Sequence, residues 1–490
     1  MDLLLALSPI LLVSVGALLL MLVEAMSKNR TGFALGSAAV LFTGTAAAAA
    51  VATYGPENLN GIDSLAPWYV VDHFTLFFSG LLCFGGGLAA LLAGGYLPEH
   101  NIERGEFYAL LLFSTVGAMM VSAAGDALTL FLGLETMSLG AYAMTAFRRA
   151  SQRSMEAAIK YFLLGSFAAA LLLFGFSLLY GATGHTDLIG IGQVVARGGN
   201  YVPMIVIGLV LVLVGLCFKV SAVPFHAWTP DAYEGAPTPA TTYMASVVKA
   251  GAFAMLLRVL MMSFSDPRAT SWATGWPPVL ATLAVLTMTV ANLVAGRQES
   301  VKRMLAYSSI AHAGYLLVGV VAAQRSTIGI SGVLFYLLSY TVSTAGAFGA
   351  LILCGSRGKE SVSYEDLAGI GRRHPAAALP FALFCVSLAG VPPTAGFFGK
   401  WYVFKGAMEG GYYWLTIIAF VNSVIGAYYY LRVLVYMYMR EPAPGAPVAT
   451  PMRSGYVATV LVVCAFLVLA LGLAPDGALD LASKAKLATL

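Results

Sequence analysis

Charge is what this sequence has least of. Only 10% of its 490 residues are charged, while 59% are hydrophobic; soluble globular chains are about a quarter charged. So few charges cannot cover the surface of a soluble protein of this length, which excludes that class. The net charge is +4, and Lys/Arg runs with interleaved aromatics are missing, so no nucleic-acid partner is expected. The five cysteines (Cys83, Cys217, Cys354, Cys385, Cys464) stand singly in apolar segments. With no C-x-x-C pair, an iron–sulfur or zinc site is not expected, and each reads as a small hydrophobe inside a helix. A P-loop is absent, and Gly190-Ile191-Gly192 lacks the third glycine of a dinucleotide fingerprint. No metal or cofactor is therefore expected on this chain. The N-terminus has no basic region or small-residue cleavage site before its apolar run, and reads as a retained first helix.

Long apolar runs are what is there. A bilayer span needs about 20 mostly apolar residues, and such segments fall at 3–26, 31–53, 72–97, 107–123, 126–147, 154–181, 202–227, 237–262, 272–295, 300–323, 328–355, 376–408, 412–439 and 452–474. The pattern predicts an all-α polytopic membrane bundle of about 14 transmembrane helices, a single domain over 1–490. Loops after odd-numbered segments carry Lys28, Arg30, Arg104, Arg148, Arg149, Arg153, Arg297, Lys302, Arg303, Arg357, Lys359, Arg372, Arg373, Arg440 and Arg453, against Arg197, Arg268 and Arg325 after even-numbered ones. By the positive-inside rule both termini are expected on the outer, periplasmic side. The Ala/Gly-rich composition favours a bacterial cell inner (plasma) membrane. Loops at 54–71, 182–201 and 356–375 are too short to fold independently.

Two segments are broken by proline in similar settings, Ser221-Ala222-Val223-Pro224 and Leu388-Ala389-Gly390-Val391-Pro392-Pro393. Proline removes a helix hydrogen bond and clashes with the preceding turn, and at membrane depth such breaks survive only inside protein or beside water. By helix count the two run in opposite directions, the arrangement of paired broken helices in inverted transport repeats. The expected division is N-terminal helices at 1–106, a first five-helix repeat at 107–262, an inverted second repeat at 272–439 and a last helix at 452–474.

Ionisable residues at bilayer depth are costly and default to functional hypotheses. Lys249 lies twelve residues into its segment, roughly 18 Å at 1.5 Å per residue, too deep to snorkel; a lysine satisfied by carbonyls is the bland alternative. Lys219 precedes the first break, whose freed carbonyls suit a buried ammonium, and Glu135 is its natural counter-charge. A carboxylate at a changeable distance tunes a lysine's proton affinity, so the pair reads as a switch or, more plainly, as a static ion pair. Lys400 follows the second break, and the opposed directions place Lys219, Lys249 and Lys400 in a row; lysine suits a relay because its affinity moves readily on burial. His226 and His312 are secondary relay candidates or packing histidines. Lys160 is a secondary relay or an interfacial snorkeller, while Arg258, Lys405 and Arg432, nearer helix ends, are expected to snorkel. The basic tail carries Lys484 and Lys486.

The run Lys219-Val-Ser-Ala-Val-Pro224-Phe-His226-Ala-Trp228-Thr-Pro230-Asp231-Ala-Tyr233, together with Glu135, Lys249, the Gly390–Phe397 stretch and Lys400, resembles the antiporter-like membrane subunits of respiratory complex I, the proton-pumping NADH:quinone oxidoreductase. The resemblance spans nearly the whole chain and is nearest to subunit N. The chain ends after the fourteenth segment, without the lateral helix of the L type, and has lysine at 400 where the M type carries glutamate. It implies a proton-translocating translocase subunit in which Glu135 and Lys219 form the switchable pair, Lys249 is the central relay and Lys400 faces the exit. NADH, FMN, iron–sulfur clusters and quinone would then be bound by partner subunits, and the partners would be a second antiporter-like subunit, small membrane subunits and the lipid bilayer. A multi-subunit sodium/proton antiporter shares the broken-helix motif and is the alternative, with a purely structural scaffold subunit as the third reading.

Overall fold

A computed structural model describes residues 2–26, 32–198, 202–355, 358–442, 449–485 and 487. Lys28, Arg30, Arg357 and Lys486 lie outside the described residues. The apolar runs fold as helices α1 (Asp2–Met26), α2 (Phe33–Tyr54), α3 (His73–Glu99), α4 (Gly105–Ala123), α5 (Ala127–Thr145), α6 (Gln152–Thr183), α7 (Leu188–Arg197) and α8 (Val202–Val220). They continue as α9 (Trp228–Gly235), α10 (Thr238–Tyr243), α11 (Lys249–Ser263), α12 (Pro277–Ala295), α13 (Val301–Ala322), α14 (Gly329–Cys354) and the short α15 (Ile370–Arg373). The last are α16 (Pro375–Ala389), α17 (Ala395–Glu409), α18 (Tyr413–Met439), α19 (Gly455–Leu473) and α20 (Asp476–Lys484).

Among the described residues, 13 helices are long and apolar enough to cross a membrane. The twelfth apolar segment supplies the remaining span in two halves, α16 and α17, so the fourteen predicted segments map onto the bundle one for one. Besides the short α9, α15 and α20, which fall outside the fourteen segments, two further features were not legible in the sequence. The amphipathic α7 lies in the expected 182–201 loop, and α10 and α11 are joined by a π-helical turn at Met244–Val248. π-turns inside α-helices mark functional sites disproportionately.

Polar caps start the spans where the apolar runs begin. Asp126 accepts from Leu128 N and Thr129 N at α5, and Ser300 from Arg303 N at α13, satisfying N–H groups that helix geometry leaves free. Both caps also sit in matching backbone bridges. Asp126 pairs with Asp187 through Ala127 N→Thr186 O and Leu188 N→Gly125 O. Ser300 pairs with Ser363 through Val301 N→Val362 O and Tyr364 N→Glu299 O.

Lipid supplies no hydrophobic drive between helices, so close approach of small residues holds the bundle. At Gly133 on α5 a Cβ would stand 2.9 Å from Met120 Cβ and 3.0 Å from Gly117 O, so only glycine lets α4 lie this near Glu135. The α10–α11 span is 100% buried against 28% for α1; the helix carrying Lys249 forms the centre of the bundle.

Candidate functional site

At the first break the chain ends α8 with Ser221 in a left-handed conformation, φ 65°. Lys219 is 2% exposed. Its Nζ donates to Ser138 Oγ at 2.7 Å and Tyr142 OH at 3.2 Å, with the Tyr142 and Tyr161 rings 5.3 and 5.9 Å away. Glu135 makes no salt bridge with Lys219 among the described residues, but it lies within electrostatic reach of the ammonium, which Ser138 and Tyr142 hold directly. One expectation is corrected here. The break's carbonyls do not hold the ammonium; Phe218 O accepts the Trp228 indole N–H at 3.0 Å, since a buried indole donor needs an acceptor of its own. Glu135 Oε1 and the Tyr161 hydroxyl are buried with no hydrogen-bond partner, leaving open polar valence beside Lys219.

Lys249 begins α11 directly after the π-turn and is 2% exposed. Its Nζ donates to Ser309 O at 2.6 Å and Ser309 Oγ at 2.5 Å, both on α13, and lies 5.8 Å from the Tyr340 ring. One turn further along α13, His312 bonds the Tyr336 hydroxyl through Nδ1 at 2.6 Å and the Tyr430 hydroxyl through Nε2 at 3.0 Å. Its ring packs 5.0 Å from Tyr340 and 5.8 Å from Tyr315.

Lys400, 6% exposed on α17, donates to Ala389 O at 2.8 Å and Ser423 Oγ at 2.9 Å and faces the Tyr315 ring at 5.2 Å. Ala389 ends α16, where Gly390 turns left-handed at φ 87°, so here the break does lend a carbonyl to the ammonium. Lys249, Tyr340, His312, Tyr315 and Lys400 thus form one buried line. On the Lys219 side, Tyr161 stacks on Trp228 at 4.2 Å, which meets Tyr233 edge-on at 6.2 Å.

The remaining candidates stand apart. Lys160 is 44% exposed and pairs with Glu156 at 2.7 Å and Asp231 at 2.9 Å, the interfacial reading rather than a place in the row. His226 is half-buried just past Pro224, and no side-chain hydrogen bond joins it to the lysines among the described residues. Arg258, expected to snorkel, is fully buried. It grips Asp72 with two bonds of 2.8 and 3.0 Å and also holds Thr75 Oγ1 and Ser122 O. Its partners lie far away in sequence, which position along the helix did not reveal. Lys405 is exposed, and Arg432 reaches the carbonyls of Gly296 and Gln298 at the end of α12.

One cluster was missed altogether. Glu360, in the loop after α14, accepts from Tyr96 OH at 2.5 Å and Thr238 Oγ1 at 2.6 Å. Lys302 Nζ lies 3.4 Å from it and donates to Ala236 O at 2.7 Å, and Arg148 stands 3.9 Å away. Burial alone raises the Glu360 carboxyl, but Lys302, the Thr238 and Tyr96 hydroxyls and Arg148 together hold it down to about 2. Among the described residues no three His, Cys, Asp or Glu side chains gather as a metal-ligand set.

Broken opposed helices with buried lysines on a tyrosine–histidine line define a proton-handling membrane subunit of the antiporter-like kind. The family model "NADH:quinone oxidoreductase/Mrp antiporter, TM" matches residues 124–426, and the chain belongs to that family. It is 66% identical to NADH-quinone oxidoreductase subunit N 1 of Sorangium cellulosum, covering 99% of this chain and 98% of the relative. Subunit N of Trichlorobacter lovleyi is 48% identical over 77% of each chain. Among solved structures, a chain of respiratory complex I from Thermus thermophilus with bound aureothin is 34% identical, with TM-score 0.80 over 97% of this chain and 99% of that one. A chain of the Mrp complex from Dietzia sp. aligns at TM-score 0.85 over 98% of this chain and 96% of that one with 22% identity, which shows shared fold alone.

Proposed function

We infer that this chain is the proton-translocating N-type subunit of a NADH:quinone oxidoreductase membrane arm, with the redox chemistry and its cofactors carried by partner subunits. The observation that carries the reading is the buried line from Lys249 through Tyr340, His312 and Tyr315 to Lys400. Near-full-length identity to subunit N relatives favours this over the sodium/proton antiporter, whose solved relative supports only the fold.

Glu135 and Lys219 act as the switch, Lys249 as the central relay and Lys400 as the release group, with His312 between the last two. His226 and Lys160 are not needed for this route. The Glu135 charge acts on Lys219 through space rather than by a direct ion pair, while Ser138 and Tyr142 hold the ammonium. A charge change arriving at Glu135 reorients those hydroxyls, alters the hold on Lys219 and shifts the proton affinity of Lys249 through the low-dielectric interior. Lys249 then passes its proton along the tyrosine–histidine line to Lys400.

The chain sits in a bacterial inner membrane with both termini periplasmic. Its matched bridges at Asp126/Asp187 and Ser300/Ser363 support two inverted repeats at 107–262 and 272–439. Lys249→Ala in the intact complex tests the relay. NADH-driven proton uptake into membrane vesicles is expected to vanish while the complex still assembles. Full pumping sinks the relay, whereas loss of assembly with normal activity in the residual complex points to a scaffold.

A further inference from the structure

Lys249 must be recharged from the inner side, and α10 carries a polar face that leads there. Thr238, Thr242 and Ser246 recur every four residues, at 2%, 0% and 1% exposure. Thr242 Oγ1 donates to Thr238 O at 2.9 Å and Ser246 Oγ to Thr242 O at 2.6 Å, which leaves each hydroxyl oxygen free to accept. Near the top, the Thr341 hydroxyl is buried without a hydrogen-bond partner, and both Ser246 Oγ and Thr341 Cγ2 border Gly85. Tyr340, adjacent to Thr341, faces Lys249. At the foot, Thr238 donates to Glu360. Eleven residues separate Thr238 from Lys249, roughly 16 Å of helix.

We propose that this hydroxyl strip is the inner-side proton-uptake route to Lys249, and that Glu360 is the positioning residue at its mouth. The inference rests on the relay reading of Lys249. A proton from inner-side water moves along the strip by hydrogen-bond exchange and ends as a new N–H on the neutral Lys249 amine, with no redox partner required.

Glu360 is a fixed anion rather than a carrier, because Lys302 and Arg148 keep it ionised. Its charge offsets those two cations, which otherwise confront an incoming proton at the foot of the strip. The groups facing it are Tyr96 from α3, Arg148 after α5, Thr238 from α10 and Lys302 from α13. His100, stacked on Tyr96 at 4.0 Å, and Glu234 lie within electrostatic reach of the cluster.

The test uses the whole complex in proteoliposomes, with NADH-driven proton uptake followed at mildly acidic and mildly alkaline pH on the uptake side. Thr242→Val/Ser246→Ala and, separately, Glu360→Gln are each expected to slow uptake about tenfold at alkaline pH and less at acid pH, as proton supply becomes limiting. Glu360→Gln/Lys302→Met restores the original charge balance and is expected to recover most of the rate, which a lost structural contact does not permit. Parental rates in the hydroxyl double variant overturn the route. A drop in Glu360→Gln that is equal at both pH values and unrelieved by Lys302→Met overturns the role of Glu360. If Glu360→Gln fails to assemble, the hydroxyl variant alone decides. Lys249→Ala run in parallel separates the two claims: normal pumping there refutes the relay itself, while loss there with normal strip variants refutes only the route.

Discussion

Lys249 and Lys400 each donate to one main-chain carbonyl and one serine hydroxyl, and among the described residues no carboxylate pairs with either. That is the setting in which a lysine changes protonation state readily and an arginine does not. Lys249→Arg is therefore expected to keep the charge and the assembly yet cut pumping at least tenfold, because a guanidinium holds its proton; dye-quench measurements of the proton gradient check it. Arg258 serves the opposite need. Its two-bonded grip on Asp72 is buried, and removing one partner of such a pair typically costs about 3–5 kcal/mol. Arg258→Ala should lower the thermal midpoint of the purified complex, with Arg258→Lys restoring little of it.

Glu360 gives the pH dependence at this scale. Its carboxyl is depressed from 4.5 to about 2, so its contribution is complete above the unfolded value and is lost as pH falls from about 4.5 toward 2. The shift corresponds to a contribution on the order of 3 kcal/mol. Melting of the parent and of Glu360→Gln should differ near neutral pH and converge at the acid end.

At the scale of elements, the π-turn at Met244–Val248 and the two breaks are the irregular pieces, and all three adjoin a lysine of the row. Deleting one residue from the π-turn restores α-helical pitch on both flanks. The expected result is a chain that inserts and assembles but pumps poorly, since Lys249 loses its seat on Ser309; assembly on native gels and vesicle acidification read the two separately. Both prolines announced their breaks in the sequence. The π-turn did not, because Met-Ala-Ser-Val-Val is an ordinary apolar stretch and its wide pitch comes from packing inside a fully buried span. Short α7 escaped for a related reason: ten residues cannot cross a bilayer, and only its packing among the spans shows it as a helix.

For the whole molecule, hydropathy read well, because it depends on local composition. The fourteen segments matched, and the bias of basic residues toward one set of loops predicts a topology that alkaline phosphatase fusions can check: activity is expected at the C-terminus and none at Arg149. What composition left hidden were partnerships across the fold. Lys302 counted as one more loop cation, yet it is 1% exposed against Glu360; Lys219 is held by the hydroxyls of Ser138 and Tyr142, which position along its own helix did not announce. Residue identity told which groups sit in oil and stayed silent about which neighbour each one meets.

Among the described residues no carboxylate bonds Lys249 or Lys400, and this has an electrical consequence. His312 lies within electrostatic reach of both amines, and in a low-dielectric interior a charge on either one is felt strongly at the imidazole between them. In the relay proposed above, with no counter-ion among the described residues to mask it, a proton arriving on one amine becomes an electrical signal to the rest of the line.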